Sequence, residues 1–262
     1  MIEYEKMERR VNTGMPKISE LLFPPKCVCC RSILSIHADK NSGEDVLCMD
    51  CRRKFEAEKY KRCSFCAKQH FECECMPPVL YNTECSAMMH VCAYDGSLLS
   101  PVTRIAFTLK KKANGSCERF AADQLANRLR EYLDANSDCD FCVTYIPRRK
   151  RAVINFGHDH SGILARRTAQ LCGLDFYKFI KNNGNGKEQK SLDVKGRILN
   201  VRQMLFASTD IEKAKGKNVI LIDDIATSGA SLAAGTEILL GSGAASVSCL
   251  CFALTQKKPA RK

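Results

Sequence analysis

The chain has 262 residues, of which 45% are hydrophobic and 27% charged, a balance typical of a water-soluble globular protein. Its apolar runs are far shorter than the ~20 residues that cross a bilayer, and its first residues lack the pattern of a secretory signal, so we expect a cytoplasmic protein with no membrane span. The net charge of +12 suits nucleic acid, phosphorylated metabolites, anionic lipid or an unpartnered solvated face, and charge alone does not choose among them.

The N-terminal part of the chain is rich in cysteine. Residues 1–20 are polar and mixed in charge, which predicts a loosely ordered arm. Nine of the 17 cysteines then fall between Cys27 and Cys75, and two prolines end this stretch. Because disulfides are rare in the cytoplasm and so short a segment cannot bury a sufficient core unaided, the pattern predicts a metal-stapled zinc-ribbon module over residues 21–78.

The first four-thiol group is predicted from two Cys-x-x-Cys pairs. Cys27 with Cys30 and Cys48 with Cys51 have the spacing of two knuckles, which together complete a tetrahedral zinc site. Cys29 lies between two of these ligands, and a register that uses it stays open. Four thiolates leave zinc no open coordination position, so we expect a structural ion.

A second group follows, with a tighter spacing. Cys63 and Cys66 form another knuckle, and Cys73 and Cys75 supply two more thiols, while His70 is an alternative ligand. The sequence predicts a second structural zinc site here.

The remaining residues, 79–262, are predicted to form an α/β domain. Residues 79–100 are interpreted as a linker and entry segment, and residues 182–196 as a loop rich in glycine, asparagine and lysine. Alternating strand and helix patterns favour an open, mostly parallel sheet with helices on both faces. The predicted strands are 139–147, 175–180, 217–225 and 245–255, and the predicted helices are 116–133 with Ser116 as N-cap, 161–173 and 230–243.

Two adjacent acids follow the most apolar predicted strand. Side chains at the carboxyl end of a parallel strand open into the crevice where α/β sheets bind ligands. The next residues are small and hydroxylated and lead into a helix, so their amides and hydroxyls can converge on an anion. The acids can accept hydrogen bonds from vicinal hydroxyls or face a divalent cation, and an ordinary strand and turn with exposed acids is the alternative. The candidate residues are Asp223, Asp224, Ala226, Thr227, Ser228, Gly229, Ala230 and Ser231.

The string VILIDDIATSG, residues 219–229, resembles the phosphoribosyl pyrophosphate motif of type I phosphoribosyltransferases. By this resemblance the two aspartates hold the ribose hydroxyls, residues 227–231 hold the 5′-phosphate, and the pyrophosphate binds with Mg²⁺. Collinear segments extend the likeness over roughly residues 21–255 to the ComF family, competence-associated proteins that join an N-terminal zinc ribbon to such a domain. These segments are LLFPPKCVCC, AYDGSLLSPVTRIAFTLKKKANG, GHDHSGILARRTA and KEQKSLDVKGRILNV.

Some positions depart from the family pattern. Phe156 precedes Gly157 where the family commonly has arginine, and His158 replaces an aromatic residue. The phosphate turn reads Thr-Ser-Gly-Ala-Ser instead of Thr-Thr-Gly-Ala-Thr, which keeps its hydroxyls. The first two departures fall in the regions expected to meet pyrophosphate and acceptor.

The resemblance implies transfer of a phosphoribosyl group, a pentosyl transfer, to an acceptor that the sequence does not name. Loss of pyrophosphate leaves a cationic sugar and builds negative charge on the leaving group, so cations and a closing loop are expected. The candidate catalytic residues are Lys110, Gln189 and Arg197, and further candidate clamps are Arg148, Arg149 and Arg151.

The alternative function is a non-catalytic, zinc-ribbon nucleic-acid-binding or regulatory factor that retains the ligand site. The competence relatives imply single-stranded DNA or competence proteins as partners. The sequence specifies neither the acceptor nor the oligomeric state.

Overall fold

The computed structural model describes residues 23–35, 43–111, 113–183 and 201–255. Its strands are β1 (Ala87–Ala93), β2 (Phe141–Tyr145), β3 (Asp175–Phe176), β4 (Ile180–Asn182), β5 (Leu205–Ala207), β6 (Asn218–Ala226) and β7 (Ser246–Leu254). Five of them form one parallel sheet in the order β1-β7-β6-β2-β3. The other two, β4 and β5, form a separate antiparallel pair.

Helices cover both faces of the parallel sheet, which confirms the predicted fold class. The helices are α1 (Met49–Lys59), α2 (Pro101–Lys111), α3 (Gly115–Asp134), α4 (Lys150–Phe156), α5 (His160–Cys172) and α6 (Ala230–Gly241). Apolar residues of α2, α3 and α5 pack in one buried cluster, and those of α6, β4 and β5 pack in a second cluster. β6 lies between the clusters, which explains why its residues 219–222 are all apolar and fully buried. Within the described residues, no helix is long and apolar enough to cross a membrane.

Two predicted helix ends can be compared with the structure. Asn114, not Ser116, is the N-cap of α3, because its side-chain oxygen accepts the N–H of Cys117 at 2.9 Å, and Ser116 already lies in the first turn. The second helix end is the C-terminus of α5. Gly173 follows this helix and adopts φ 68°, the left-handed conformation that ends a helix, as the sequence predicts.

The prediction of a linker over residues 79–100 is wrong in its centre. Residues 87–93 form β1, which pairs with β7 along its length and is almost entirely buried. The predicted strand 175–180 is also divided: Phe176 ends β3, and Ile180 begins β4 in the separate antiparallel pair. Phe179 is fully buried between the two strands, and its N–H bonds to the Thr144 hydroxyl.

The cysteine-rich segment shares its core with the parallel sheet. Phe55 of α1 is fully buried and lies edge-on to Phe120 of α3, with ring centroids 5.2 Å apart. The same ring stacks against Phe252 of β7 at 6.1 Å. Burial of an aromatic side chain of this size contributes roughly 1.5–3 kcal/mol relative to an exposed position. The contact therefore joins α1 to the sheet through apolar packing. The predicted arm, residues 1–20, lies outside the described residues.

We predict that Phe55→Ala destabilises the whole α/β fold by about 3–5 kcal/mol, because it opens a cavity between α1, α3 and β7. Urea unfolding followed by far-UV circular dichroism measures the loss. The matched control is Phe65→Ala, which removes a ring that is 44% exposed and should change the free energy of unfolding by less than about 1 kcal/mol. Equal effects of the two substitutions would contradict the shared core.

Candidate functional site

The acidic pair lies at the carboxyl edge of the sheet, where β6 continues beyond β2. β2 pairs with β6 up to Tyr145 and Ile222, whereas β7 accompanies β6 as far as Ala226. From β2 the chain passes to β3 on one side, and from β6 it passes to β7 on the other. Strands whose connections diverge in this way flank the crevice where open α/β sheets bind ligands. Asp223 and Asp224 occupy this edge.

Asp224 is buried and held by two basic side chains. Its Oδ2 accepts a hydrogen bond from His160 Nε2 at 2.7 Å and lies 3.3 Å from Lys110 Nζ. Its Oδ1 accepts the N–H of Ile225 at 2.7 Å. Burial acts to raise the pKa of Asp224, but the His160 hydrogen bond and the Lys110 charge outweigh it and hold the pKa below its ordinary value. The negative charge of the Asp224 carboxylate is therefore stabilised by its two basic neighbours.

Asp223 has a different environment from its neighbour. It is partly exposed, and its Oδ1 accepts the N–H of Asp224 at 2.9 Å. Burial and the adjacent charge of Asp224 raise its pKa well above the ordinary value. Asp223 is therefore the member of the pair with solvent access.

The turn after β6 has the backbone geometry of a helix N-terminus. Gly229 adopts φ +79° and forms the N-cap of α6, a conformation that favours glycine. The first N–H groups of a helix have no backbone acceptor within it and can serve an anion, and here the N–H of Ala230 lies 3.4 Å from Ser228 Oγ. Across the turn, Thr227 is exposed, Ser228 and Ser231 are partly exposed, and Ala226 and Ala230 are buried.

The cysteine-rich segment reaches this turn. A Cβ added at Gly229 would lie 2.9 Å from Pro77 Cβ and 3.0 Å from Leu80 Cδ1, closer than side chains tolerate. Glycine at this position therefore permits both the turn and the close packing of residues 77–80 against it.

The structure brings Lys110 to the acidic pair, and the other basic candidates lie at the start of α4 or just before it. Arg148 donates to the backbone carbonyl of Lys110 at 2.9 Å, which fixes the end of α2. Arg149 is the N-cap position of α4, and Arg151 lies exposed on that helix. The candidates Gln189 and Arg197 lie outside the described residues.

Sequence reasoning missed His160. It is the first residue of α5, and Asp224 is 64 residues further along the chain, so only the fold brings them together. Gly162 allows the first turn of α5 to pack closely against β2, because a Cβ at this position would lie 2.9 Å from the Tyr145 ring. The available signal was a second histidine two residues after His158, at the start of a predicted helix.

Each group of four predicted thiols comes together in the structure. In each group the sulfur atoms lie within 4.8 Å of one another, close enough to hold one metal ion. The groups are Cys27, Cys30, Cys48, Cys51 and Cys63, Cys66, Cys73, Cys75. Cys29 is not one of the four, although its thiol interacts with those of Cys27 and Cys51. Its Sγ lies 3.9 Å from the carbonyl of Pro101, and burial raises the pKa of the thiol to about 12. His70 belongs to neither group.

The backbone supports the interpretation of metal knuckles. The backbone carbonyl of Cys27 accepts the N–H of Arg31, and the N–H of Cys27 donates to the carbonyl of Ser32. The knuckle that begins at Cys63 repeats the pattern, because the carbonyl of Cys63 accepts the N–H of Ala67. Arg31 and Ala67 both adopt positive φ, at 67° and 59°, although neither is glycine. Such backbone is uncommon for these residue types and is sustained by surrounding constraints. Each group of four thiols therefore contains one such turn, an arrangement that fits structural zinc.

Residues 122–262, more than half of the chain, match the model of the phosphoribosyl transferase domain family. The chain belongs to this family. The matched region includes β2 through β7 and therefore the acidic pair and the turn after it. A comparison with curated proteins finds no match.

Solved structures with some similarity come from several proteins. They include phosphoribosylpyrophosphate synthetase from Mycobacterium smegmatis (18% identity, 53% of this chain and 35% of that chain, TM-score 0.33). Purine phosphoribosyltransferase from Pyrococcus horikoshii Ot3 shares 18% identity over 57% of this chain and 82% of that chain, with a TM-score of 0.34. A hypothetical protein from Neisseria gonorrhoeae with bound ppGpp shares 15% identity over 58% and 77%, with a TM-score of 0.36. The chain spans about a third of the length of the synthetase.

We predict that purified protein contains zinc at both cysteine groups and that Cys48→Ser and Cys66→Ser each lower the zinc content by about one ion per chain. Metal binding at such sites contributes to folding, so each substitution should also lower the melting temperature. Elemental analysis and thermal denaturation measure the two effects.

The matched control is Cys139→Ser, an exposed cysteine outside both groups, which should change neither quantity. Full-length protein that is free of zinc after anaerobic purification, yet melts at the same temperature when zinc is added, would contradict the prediction.

Proposed function

We propose that the protein is a ComF-like phosphoribosyltransferase that binds phosphoribosyl pyrophosphate with Mg²⁺ and transfers the phosphoribosyl group to an acceptor not yet identified. The observation that carries the proposal is the junction of β6 and α6. There, two carboxylates stand at a diverging pair of strands and a glycine-capped helix begins immediately after them. This junction lies within the region that matches the phosphoribosyl transferase domain.

The junction offers complementary groups to the two ends of a ribose 5-phosphate. A carboxylate accepts hydrogen bonds from the vicinal hydroxyls of the sugar, and Asp223 has the solvent access that such contact needs. The amides at the start of α6 and the hydroxyls of Thr227, Ser228 and Ser231 suit the 5′-phosphate. The ligand would then lie across the carboxyl edge of β6.

The cation beside the acidic pair suits the leaving group. As the bond from C1 to pyrophosphate breaks, positive charge develops on the sugar and negative charge on the pyrophosphate, and the acceptor forms the new bond to C1. Lys110 is half-exposed at the end of α2, from which its ammonium group can meet that negative charge. Gln189 and Arg197 remain candidates for residues that complete the site when the ligand binds.

The two cysteine groups support the ComF-like assignment, because that family joins an N-terminal zinc ribbon to this domain. Here the ribbon is packed against the sheet through Phe55, and residues 77–80 contact the phosphate turn. Its proposed role is structural support of the ligand site.

We predict that Asp223→Ala weakens binding of phosphoribosyl pyrophosphate with Mg²⁺ by at least about tenfold, because the sugar loses a hydrogen-bond partner. Isothermal titration calorimetry measures the affinity. Asp140→Ala is the matched control: Asp140 is an exposed aspartate that pairs with Lys217 at the opposite edge of the sheet, and its loss should leave the affinity unchanged. Full affinity in the Asp223 variant would remove the proposed ribose contact.

A second candidate is a nucleic-acid-handling factor that retains the ligand site. A basic and aromatic surface near the crevice favours it: Lys111 lies over the exposed ring of Phe107, and Arg148 lies over Phe156. Such surfaces suit the bases and phosphates of single strands. Oligonucleotide binding that falls steeply with salt, is unaffected by Asp223→Ala and occurs without affinity for phosphoribosyl pyrophosphate would favour this candidate.

A further inference from the structure

Two basic side chains converge on one oxygen of Asp224, and they differ in mobility. His160 Nε2 and Lys110 Nζ both approach Oδ2, at 2.7 Å and 3.3 Å. The His160 side chain is 2% exposed, whereas the Lys110 side chain is 43% exposed. A buried ring on a packed helix has little freedom to leave, while a lysine has a flexible stem and pays little to reorient in water.

The packing of α5 fixes His160. Gly162 lies against the Tyr145 ring so closely that no Cβ would fit, and Ser161 and Leu164 are buried. The first turn of α5 is therefore held against β2, and the buried imidazole has little space in which to withdraw from Asp224. The nearby His158 is a different case, because its Nε2 meets the backbone carbonyl of Leu109 at 3.1 Å and no carboxylate.

We propose that His160 is a positioning residue for ribose recognition: it keeps the Asp224 carboxylate oriented in the crevice when Lys110 leaves Asp224 for the pyrophosphate of the ligand. This inference rests on the proposed function, because it assigns the sugar to the acidic pair. When Lys110 moves away, a ribose hydroxyl donates a hydrogen bond to Oδ2 in its place. The hydroxyl then replaces the ammonium group as a partner of Asp224.

The need for His160 follows from the contacts of Asp224. Without both basic side chains, the carboxylate would keep only the Ile225 N–H and the neighbouring Asp223 side chain as partners among the described residues, although it is almost fully buried. A buried carboxylate with so few partners is costly, and it avoids that cost by taking up a proton or turning away. The permanent contact with His160 prevents both when Lys110 moves.

The experiment compares three substitutions of His160 by calorimetry with two probes. The probes are phosphoribosyl pyrophosphate and inorganic pyrophosphate, each with Mg²⁺. His160→Leu removes the donor, His160→Asn has an amide too short to reach Oδ2, and His160→Gln places an amide N–H near the position of Nε2. We expect the Leu and Asn substitutions to lower the affinity for phosphoribosyl pyrophosphate by about tenfold or more. The Gln substitution should keep that affinity within about threefold of the wild-type value. Affinity for inorganic pyrophosphate should be unchanged in all three.

A control separates this role from general stability. His90 is also fully buried, lies on β1 away from the acidic pair, and its ring nitrogens have no hydrogen-bond partner in the described structure. His90→Leu should therefore leave both affinities unchanged. Thermal denaturation of every variant establishes that the folded protein is being titrated, and His160→Asn supplies the test where His160→Leu does not fold.

The outcomes are distinct. Wild-type protein that does not bind phosphoribosyl pyrophosphate overturns the proposed function itself. Wild-type protein that binds it, together with a folded His160→Asn or His160→Leu variant of equal affinity, overturns only the role of His160. Parallel loss of affinity for both probes also overturns that role, because it indicates a general collapse of the crevice. Selective loss for the ribose-containing probe, rescued by glutamine, supports the proposal.

Discussion

The compensation of one buried negative charge is the constraint on which the arrangement at the carboxyl edge of the sheet depends. Adjacent carboxylates at a strand end repel each other, and low solvent access strengthens the repulsion. The protein resolves this by giving Asp224 two basic partners and a backbone N–H, while Asp223 faces the solvent and has a raised pKa. Three separate elements, α2, α5 and β6, must meet for this arrangement. The fold around the sheet edge is therefore organised by electrostatics as much as by apolar packing.

The cysteine-rich segment is part of that organisation. Its helix α1 contributes Phe55 to the apolar cluster on one face of the sheet, and its last residues pack against the turn after β6. β1, at the edge of the sheet, lies against the same segment and is covered by it. The segment thus supports the sheet over its edge strand and at the turn after β6, in addition to bearing two four-thiol groups.

Features with local causes could be predicted from the sequence. The strand β6 was evident because four consecutive apolar residues precede two acids, and the thiol groups were evident because ligand spacing within a knuckle is set by the backbone turn. β1 was missed because the run Ala87–Ala93 contains His90 and two methionines and resembles no strong strand pattern. Its burial comes from the cysteine-rich segment and β7, which are distant in sequence. His160 was missed for the same reason: its partner lies on another element, and only the assembled sheet brings the two within hydrogen-bond distance.

The packing of Pro77 against Gly229 has a consequence for how the protein responds to its surroundings. Pro77 follows Cys75, a member of the second thiol group, by two residues, so only a very short piece of chain joins that group to the turn after β6. Oxidation of those sulfur atoms, or loss of a metal bound to them, would disturb the contact of Pro77 with Gly229. The position of the turn after β6 is therefore coupled to the chemical state of these four thiols.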